Sequence, residues 1–350
     1  MQHIVLTCGD PNGIGLEVGI KALTRYAELV RQSNAAPVRF SLIVHPETFW
    51  QYVRQIPALK SLVQRTESGF QLGEMSCEII DCAKQVNVEF GKETRDAGEL
   101  SWEALRISAE LLRKGAEASA DAVVTLPVSK RALHLAAFPF PGQTEFYAHK
   151  FGTDKQMMIL ATEAAELDPK HAPVRVGLAT VHIPLREVVT RLSEERVVER
   201  IVALNSALQR DFAIAKPRIA VLGVNPHAGE QGDIGSEEIH IIEPALKTAQ
   251  NHGIHAEGAF PADGFFAHGA FRLYDGILAM YHDQGLIPLK LLAGNGGVNF
   301  SAGLPIIRTS PDHGTAFALA GKGIANEAST FDAIQMALSI CNNRTKFITK

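Results

Sequence analysis

The chain has 350 residues, 46% hydrophobic and 21% charged, with 29 glycines, 17 prolines and a formal net charge of -4. That length exceeds what a single core comfortably serves, so two domains sharing a cleft are expected, and the mildly acidic balance gives nucleic acid nothing to bind. No apolar run approaches the roughly 20 residues of a membrane helix, the start MQHIVLTCGD lacks a basic stretch leading into a long apolar one, and Cys8, Cys77, Cys82 and Cys341 form no C-x-x-C pair. The expectation is a cytoplasmic protein with reduced thiols and no membrane partner.

In chain order, residues 4–6 form the first short apolar run, read as a strand buried on both faces. It leads into Gly9-Asp10-Pro11-Asn12-Gly13-Ile14-Gly15 and a helix-like segment from Leu16. The turn's amides and the helix N-terminus suit an anion or cofactor, although a plain strand-to-helix turn reads equally well. A second strand is expected at 40–44, an amphipathic helix at 98–118 on Leu100, Leu105, Ile107, Leu111 and Leu112, and a third strand at 122–124, followed by TLPVSK. Residues 161–173, acidic and with two prolines, read as a surface loop. Further strands are expected at 174–180, 219–224 and 276–280, with a helix at 192–208 between the first two. Alternating strands and helices imply an α/β fold of doubly wound, mixed sheets.

In such sheets ligands bind beyond the carboxyl ends of the strands. The last three of these strands are followed by VHIPLR, NPHAGE and YHDQG, each of which delivers a histidine: His182, His227 and His282. Three imidazoles with an open fourth position suit a catalytic divalent metal, with zinc favoured by nitrogen ligands, whereas a lone histidine reads more simply as a hydrogen-bonding residue. Residues 285–308 place Lys290, Asn299 and Arg308 among glycines, which fits a phosphate site or, on the charges alone, a solvated loop. Residues 313–326, HGTAFALAGKGIAN, have small side chains that would let the backbone approach a flat ring, or form a glycine-rich turn before a helix.

The motifs GDPNGIG, PVSK, PGQTEF, HIPLRE, NPHAGE, FPAD, MYHDQGLIPLK and GVNFSAGLPIIRTSPDHGTA follow one another over nearly the whole chain. In that order they resemble the 4-hydroxythreonine-4-phosphate dehydrogenase family of pyridoxal 5'-phosphate biosynthesis. HGTAFALAGKGIAN resembles the adenine-side loop of the isocitrate and isopropylmalate dehydrogenases, the wider group to which that family belongs. The resemblance implies that group's two-domain fold. Residues 1–127 and 305–350 would form a first domain carrying both termini, and 128–304 a second with the metal site and dimer interface. It implies NAD or NADP as cofactor, with Gly13, His313, Gly314, Thr315, Ala316 and Asn326 binding it. A divalent metal, zinc first and magnesium or cobalt as alternatives, is expected on His182, His227 and His282, with His282 supplied by the partner subunit, so that a homodimer shares its active sites. Asp263, Asp283 and Lys130 are the catalytic candidates, and Gln143, Thr144, Lys290, Asn299 and Arg308 would bind a small phosphorylated substrate. The implied reaction oxidises the 3-hydroxyl of 4-phosphooxy-L-threonine and decarboxylates the product to 3-amino-2-oxopropyl phosphate. The chain departs from the family at Gln143, where a histidine is usual, and also at Cys8, Leu126 and Gly264. A related four-carbon acid phosphate, of threonate or erythronate type, is the alternative substrate, and a metal-dependent phosphatase the alternative activity.

Overall fold

The structure, a computed structural model, describes every residue except 33–36, 114–118, 165–167, 169, 171 and 349–350. Its strands in chain order are β1 (Gln2–Thr7), β2 (Val38–Ile43), β3 (Gln64–Arg65), β4 (Gly69–Leu72), β5 (Met75–Ile80), β6 (Ala122–Thr125), β7 (Met157–Thr162), β8 (Val174–Leu178), β9 (Arg218–Leu222), β10 (His255–Phe260), β11 (Gly276–Ala279), β12 (Val298–Ala302) and β13 (Ile307–Pro311). The chain forms two compact units, Met1–Asp154 with Leu304–Cys341, and Lys155–Gly303 with Asn342–Lys350. The first boundary thus falls after Asp154 rather than near residue 127, and the last residues group with the second unit.

In the first unit the strand order is β13-β6-β1-β2-β5-β4-β3, parallel from β13 to β5, with β4 and β3 added antiparallel. Thr7 stands level with Thr125 on one side and Ile43 on the other, so three strands end together. From β1 the chain winds outward through β2 to β5 and then resumes at β6 on the opposite side of β1. The crevice at the ends of β1 and β6 is therefore a topological switch point, where ligands of open sheets bind. The helix Gly15–Gln32 packs on this sheet through Leu16, Ile20 and Leu23, spaced four and three residues apart.

In the second unit the order is β10-β9-β11-β8-β7-β12, with β10, β9, β11 and β8 parallel and β7 and β12 antiparallel. Ile277 of β11 is in register with Val176 of β8 and Ala220 of β9, so these strands too end nearly level. The helix Glu194–Arg210 begins where the Ser193 hydroxyl accepts the Arg196 amide (3.2 Å), and it buries Val197, Ile201, Leu204 and Leu208. The helix His282–Ala293 is fixed by Leu286 and Leu289, which pack into the core with Val176, Leu222 and Ile277. Burying each leucine is worth roughly 2 kcal/mol, which anchors the helix that begins at His282.

All six apolar runs read from the sequence form strands. The expected helix at 98–118 starts earlier, as Arg95–Leu111, because the Thr94 hydroxyl caps the Ala97 amide (3.2 Å), and residues 114–118 lie outside the described ones. The expected loop at 161–173 gives its first two residues to β7, and part of it is likewise outside the described residues. Among the described residues no helix is long and apolar enough to cross a membrane.

Candidate active site

The strand order β10-β9-β11-β8 lines up the residues that follow each strand along one edge of the second unit. In that order they are Asp263, His227, His282 with Asp283, and His182. Main-chain and side-chain bonds hold the strand ends together. Ala179 donates its amide to the Ala279 carbonyl (2.8 Å), and the buried Thr180 hydroxyl donates to the Met280 carbonyl (2.7 Å), locking the end of β8 to that of β11. The Gln284 carboxamide joins β11 to β9, its Oε1 accepting from the Met280 amide (2.7 Å) and its Nε2 donating to the Gly223 carbonyl (2.5 Å). The helix Ala262–Ala267, which carries Asp263, touches the segment Pro226–Gly232 that carries His227.

The imidazoles of His182 and His282 stand 5.5 Å apart between ring centroids. His282 Nδ1 lies 2.7 Å from the Asp283 carboxylate. With its N–H donated there, Nε2 keeps a lone pair for a metal, and the carboxylate fixes the orientation of the ring. The pair therefore fits a divalent metal in donor type and spacing. His227 points differently: its side chain is 66% exposed and its Nδ1 is 4.0 Å from Glu230. Among the described residues of one chain, no three His, Cys, Asp or Glu side chains gather as a metal-holding set.

His227 begins an unusual backbone. Residues 227 to 231 have φ of 51, 51, 81, 44 and 58°, a run of left-handed conformation in which only Gly229 is a glycine. A left-handed residue other than glycine costs about 1–2 kcal/mol, so the turn persists only because its surroundings fix it. His182, with φ 48°, is held the same way.

On the substrate side, Arg308 is the most enclosed residue. It is 3% exposed, on β13 in the first unit, and donates from Nε and Nη2 to Thr125 Oγ1 (3.0 and 2.8 Å) and from Nη1 to Thr144 Oγ1 (3.0 Å). Burial lowers its pKa to about 10. These hydroxyl partners order the guanidinium fork, whose planar geometry suits bidentate binding of an anion. Gln143, beside Thr144 at the start of the helix Gln143–Lys150, has a buried Oε1 without a hydrogen-bond partner. Lys290 lies on the helix His282–Ala293 and Asn299 on β12, both in the second unit. Lys130 follows the Ser129 cap in the first unit and lines a cavity with Leu133, His134, Phe138, Phe140 and Pro141.

The residues expected to bind a dinucleotide meet in the first unit. Ile14 donates its amide to the Thr315 carbonyl (3.0 Å), and a side chain at Gly13 would stand 2.9 Å from that same oxygen, so the two segments require a glycine there. Ala316, at φ 41°, packs with Ala320 against Ile14, Val18, Leu126 and Ala325. Open space lies beyond Gly314, and His313 Nδ1 is 3.0 Å from the Gly314 carbonyl. Asn326 accepts the Ala328 amide (2.8 Å) at the start of the C-terminal helix Ala328–Ile348.

Four polar residues that sequence reasoning passed over support these segments. Gln284 is one. The buried Glu17 accepts from Lys21 (2.7 Å) and from the Ala325 amide (2.8 Å), while Lys21 also donates to the Gly323 and Ala325 carbonyls (3.0 and 2.9 Å). Asp10, fully buried at the switch point, accepts the Asn12 amide through Oδ1 (2.9 Å) and leaves Oδ2 without a partner. Burial, with the nearby Glu93 charge, pushes its pKa up to about 6. Its place inside GDPNGIG was the available signal; Glu17 and Lys21 look like an ordinary solvated helical pair.

The sequence model of a family described as "Pyridoxal phosphate biosynthetic protein PdxA" matches residues 33–337. The chain belongs to the PdxA family. It is 38% identical over 346 residues to the 4-hydroxythreonine-4-phosphate dehydrogenase of Bacteroides thetaiotaomicron, covering 98% of this chain and 90% of the relative. The crystal structure of the 4-hydroxythreonine-4-phosphate dehydrogenase of Klebsiella pneumoniae superposes with a TM-score of 0.79 at 35% identity, covering 97% and 100% of the two chains. The isocitrate dehydrogenase of Methylococcus capsulatus, at 12% identity, TM-score 0.51 and coverage of 99% and 87%, shares the fold. The relatives are named as dehydrogenases, which are oxidoreductases, and the family's description is pyridoxal phosphate biosynthesis.

Proposed function

We propose that the chain is an NAD(P)-dependent 4-hydroxythreonine-4-phosphate dehydrogenase that oxidises and decarboxylates 4-phosphooxy-L-threonine to 3-amino-2-oxopropyl phosphate. The observation that carries this reading is the row of Asp263, His227, His282 with Asp283, and His182 on adjoining strand ends, in a chain whose relatives over nearly its full length bear that name.

The family resemblance assigns phosphate binding to Arg308, Lys290 and Asn299, and an anchor on the phosphate fixes the reacting carbons by binding remote from them. His182, His227 and His282 would hold a divalent metal, which would supply Lewis acidity, and Gly13 with residues 313–326 would hold a dinucleotide, which would supply the hydride acceptor. A carboxylate, Asp263 or Asp283, or the Lys130 amine, takes the hydroxyl proton as hydride leaves C3. The resulting β-keto acid breaks its C1–C2 bond, releases carbon dioxide, and C2 gains a proton. Thr144 and Thr125 keep the Arg308 fork aimed throughout.

Completion of the site by a second copy is supported by His227, which stands outside the His182–His282 pair, and by the helix His282–Ala293, which exposes Ile287 and Leu291 one turn apart. Gln143 favours a second reading, a four-carbon acid phosphate with a hydroxyl in place of the ammonium, because a neutral carboxamide replaces the family's titratable histidine.

The test is NAD(P)H formation, followed by absorbance, on a panel of 4-phosphooxy-L-threonine, threonate and erythronate phosphates. Fastest turnover of 4-phosphooxy-L-threonine, with carbon dioxide release, is expected. Preference for a hydroxy-acid phosphate would replace the substrate, and phosphate release without reduced dinucleotide would replace the activity.

A further inference from the structure

Glu238 is 2% exposed and opens the π-helical turn Glu238–Ile242 behind the histidine edge. Its Oε1 accepts the amides of Val224 (2.7 Å) and Asn225 (2.8 Å), the two residues that lead into Pro226 and His227. Its Oε2 accepts the Asn225 carboxamide (2.9 Å), which also donates to Glu237 (2.7 Å), so each of the amide's two hydrogens has a carboxylate. Close approach of the backbone seals the arrangement. A Cβ on Gly229, in the middle of the left-handed run, would stand 2.7 Å from Glu238 Oε2, and one on Gly223 would stand 3.0 Å from Oε1.

One carboxylate thus binds the take-off of the left-handed turn and lies close against its midpoint. A carboxylate suits this place because both of its oxygens accept N–H groups, and a carboxamide would turn an N–H toward another N–H. From this geometry we infer that Glu238 is a positioning residue for His227. It holds the strained turn that presents the imidazole and touches no ligand itself. The inference rests on the reading of His227 as a metal ligand.

The test measures Zn2+ affinity of the full chain by competition with a chelator, for Glu238→Gln, His227→Ala and the double variant, with the melting temperature of the metal-free protein and the dinucleotide KM alongside. Glu238→Gln is expected to weaken Zn2+ about 10- to 100-fold, the range for a residue that orients a ligand, with the dinucleotide KM unchanged. Because Glu238 acts through His227, it should weaken Zn2+ no further in the His227→Ala background. Equal losses in both backgrounds would mean a general structural effect and overturn the inference. Unchanged affinity in Glu238→Gln beside a loss in His227→Ala would overturn it while leaving the metal reading intact; unchanged affinity in His227→Ala would remove both. Should Glu238→Gln not fold, Gly229→Ala, which presses on the same carboxylate, must give the same pattern.

Discussion

The two units prepare their functional side chains in opposite ways. In the first, Arg308 is enclosed and ordered by two threonines, and the segment from Gly323 to Ala325 is pinned by Lys21, all within one chain. In the second, His182 and His227 sit exposed at strand ends in left-handed backbone, and one chain does not gather the three imidazoles. The groups assigned to binding are completed and enclosed within one chain; those assigned to chemistry are held under strain on an exposed edge.

The sharpest way to break this contrast is at the edge itself. His182→Ala and His282→Ala should each lower kcat/KM on the order of 1,000-fold, the scale of losing several kcal/mol of Lewis-acid stabilisation. Mixing His182→Ala with a His227→Ala variant under conditions of verified subunit exchange should restore activity, since the His182–His282 pair of one copy then meets an intact His227 of the other in mixed dimers. No recovery would mean that His227 serves the His182–His282 pair of its own chain and would end the shared-site proposal.

On the buried side, Arg308→Ala should cost about 2–4 kcal/mol in transition-state binding, roughly 30- to 1,000-fold in kcat/KM. Arg308→Lys should recover only part, because the fork is lost. An equal loss on unphosphorylated 4-hydroxythreonine would show that Arg308 does not act through the phosphate.

Asp10 sharpens the contrast through pH. The folded chain holds this proton more tightly than an unfolded aspartate does, so native Asp10 contributes stability below about pH 4 and loses it as pH rises through about 6. Asp10→Asn should therefore stabilise the protein above pH 6 by up to about 3 kcal/mol and have no such effect near pH 3.5. Denaturant midpoints across that range would measure it, and a pH-independent difference would remove the titration from the account.

The smallest effect is expected from Lys21→Met, which frees the turn at Gly323 and Ala325. Losing these bonds, about 1–2 kcal/mol, should raise the dinucleotide KM some 5- to 30-fold while the substrate KM and kcat hold. A fall in kcat at unchanged KM would place the dinucleotide elsewhere.

What the sequence disclosed follows from which signals are local. The strands that carry the histidines are buried on both faces and read as unbroken apolar runs. β13 escaped notice because its Arg308 is buried by hydrogen bonds rather than by apolarity, and β10 because much of it is exposed. The histidines were legible as the residues after such strands. Glu238 and Gln284 were not, since a polar residue on a helix reads as solvated until distant backbone is known to end against it. The order of the strands, which sets His282 between His227 and His182, cannot be inferred from their order along the chain.

Lys21 and the Gly323 carbonyl it binds are 302 residues apart. At roughly 5–20 residues per second, synthesis separates their appearance by about 15 to 60 s. During that interval Glu17 and Lys21 have only each other, and the turn after β1 lacks the Thr315 carbonyl that completes it. The turn after β1 is thus among the late parts of the first unit that a growing chain can finish, and a nascent chain stalled before β13 would expose that unit's unfinished sheet edge at β6.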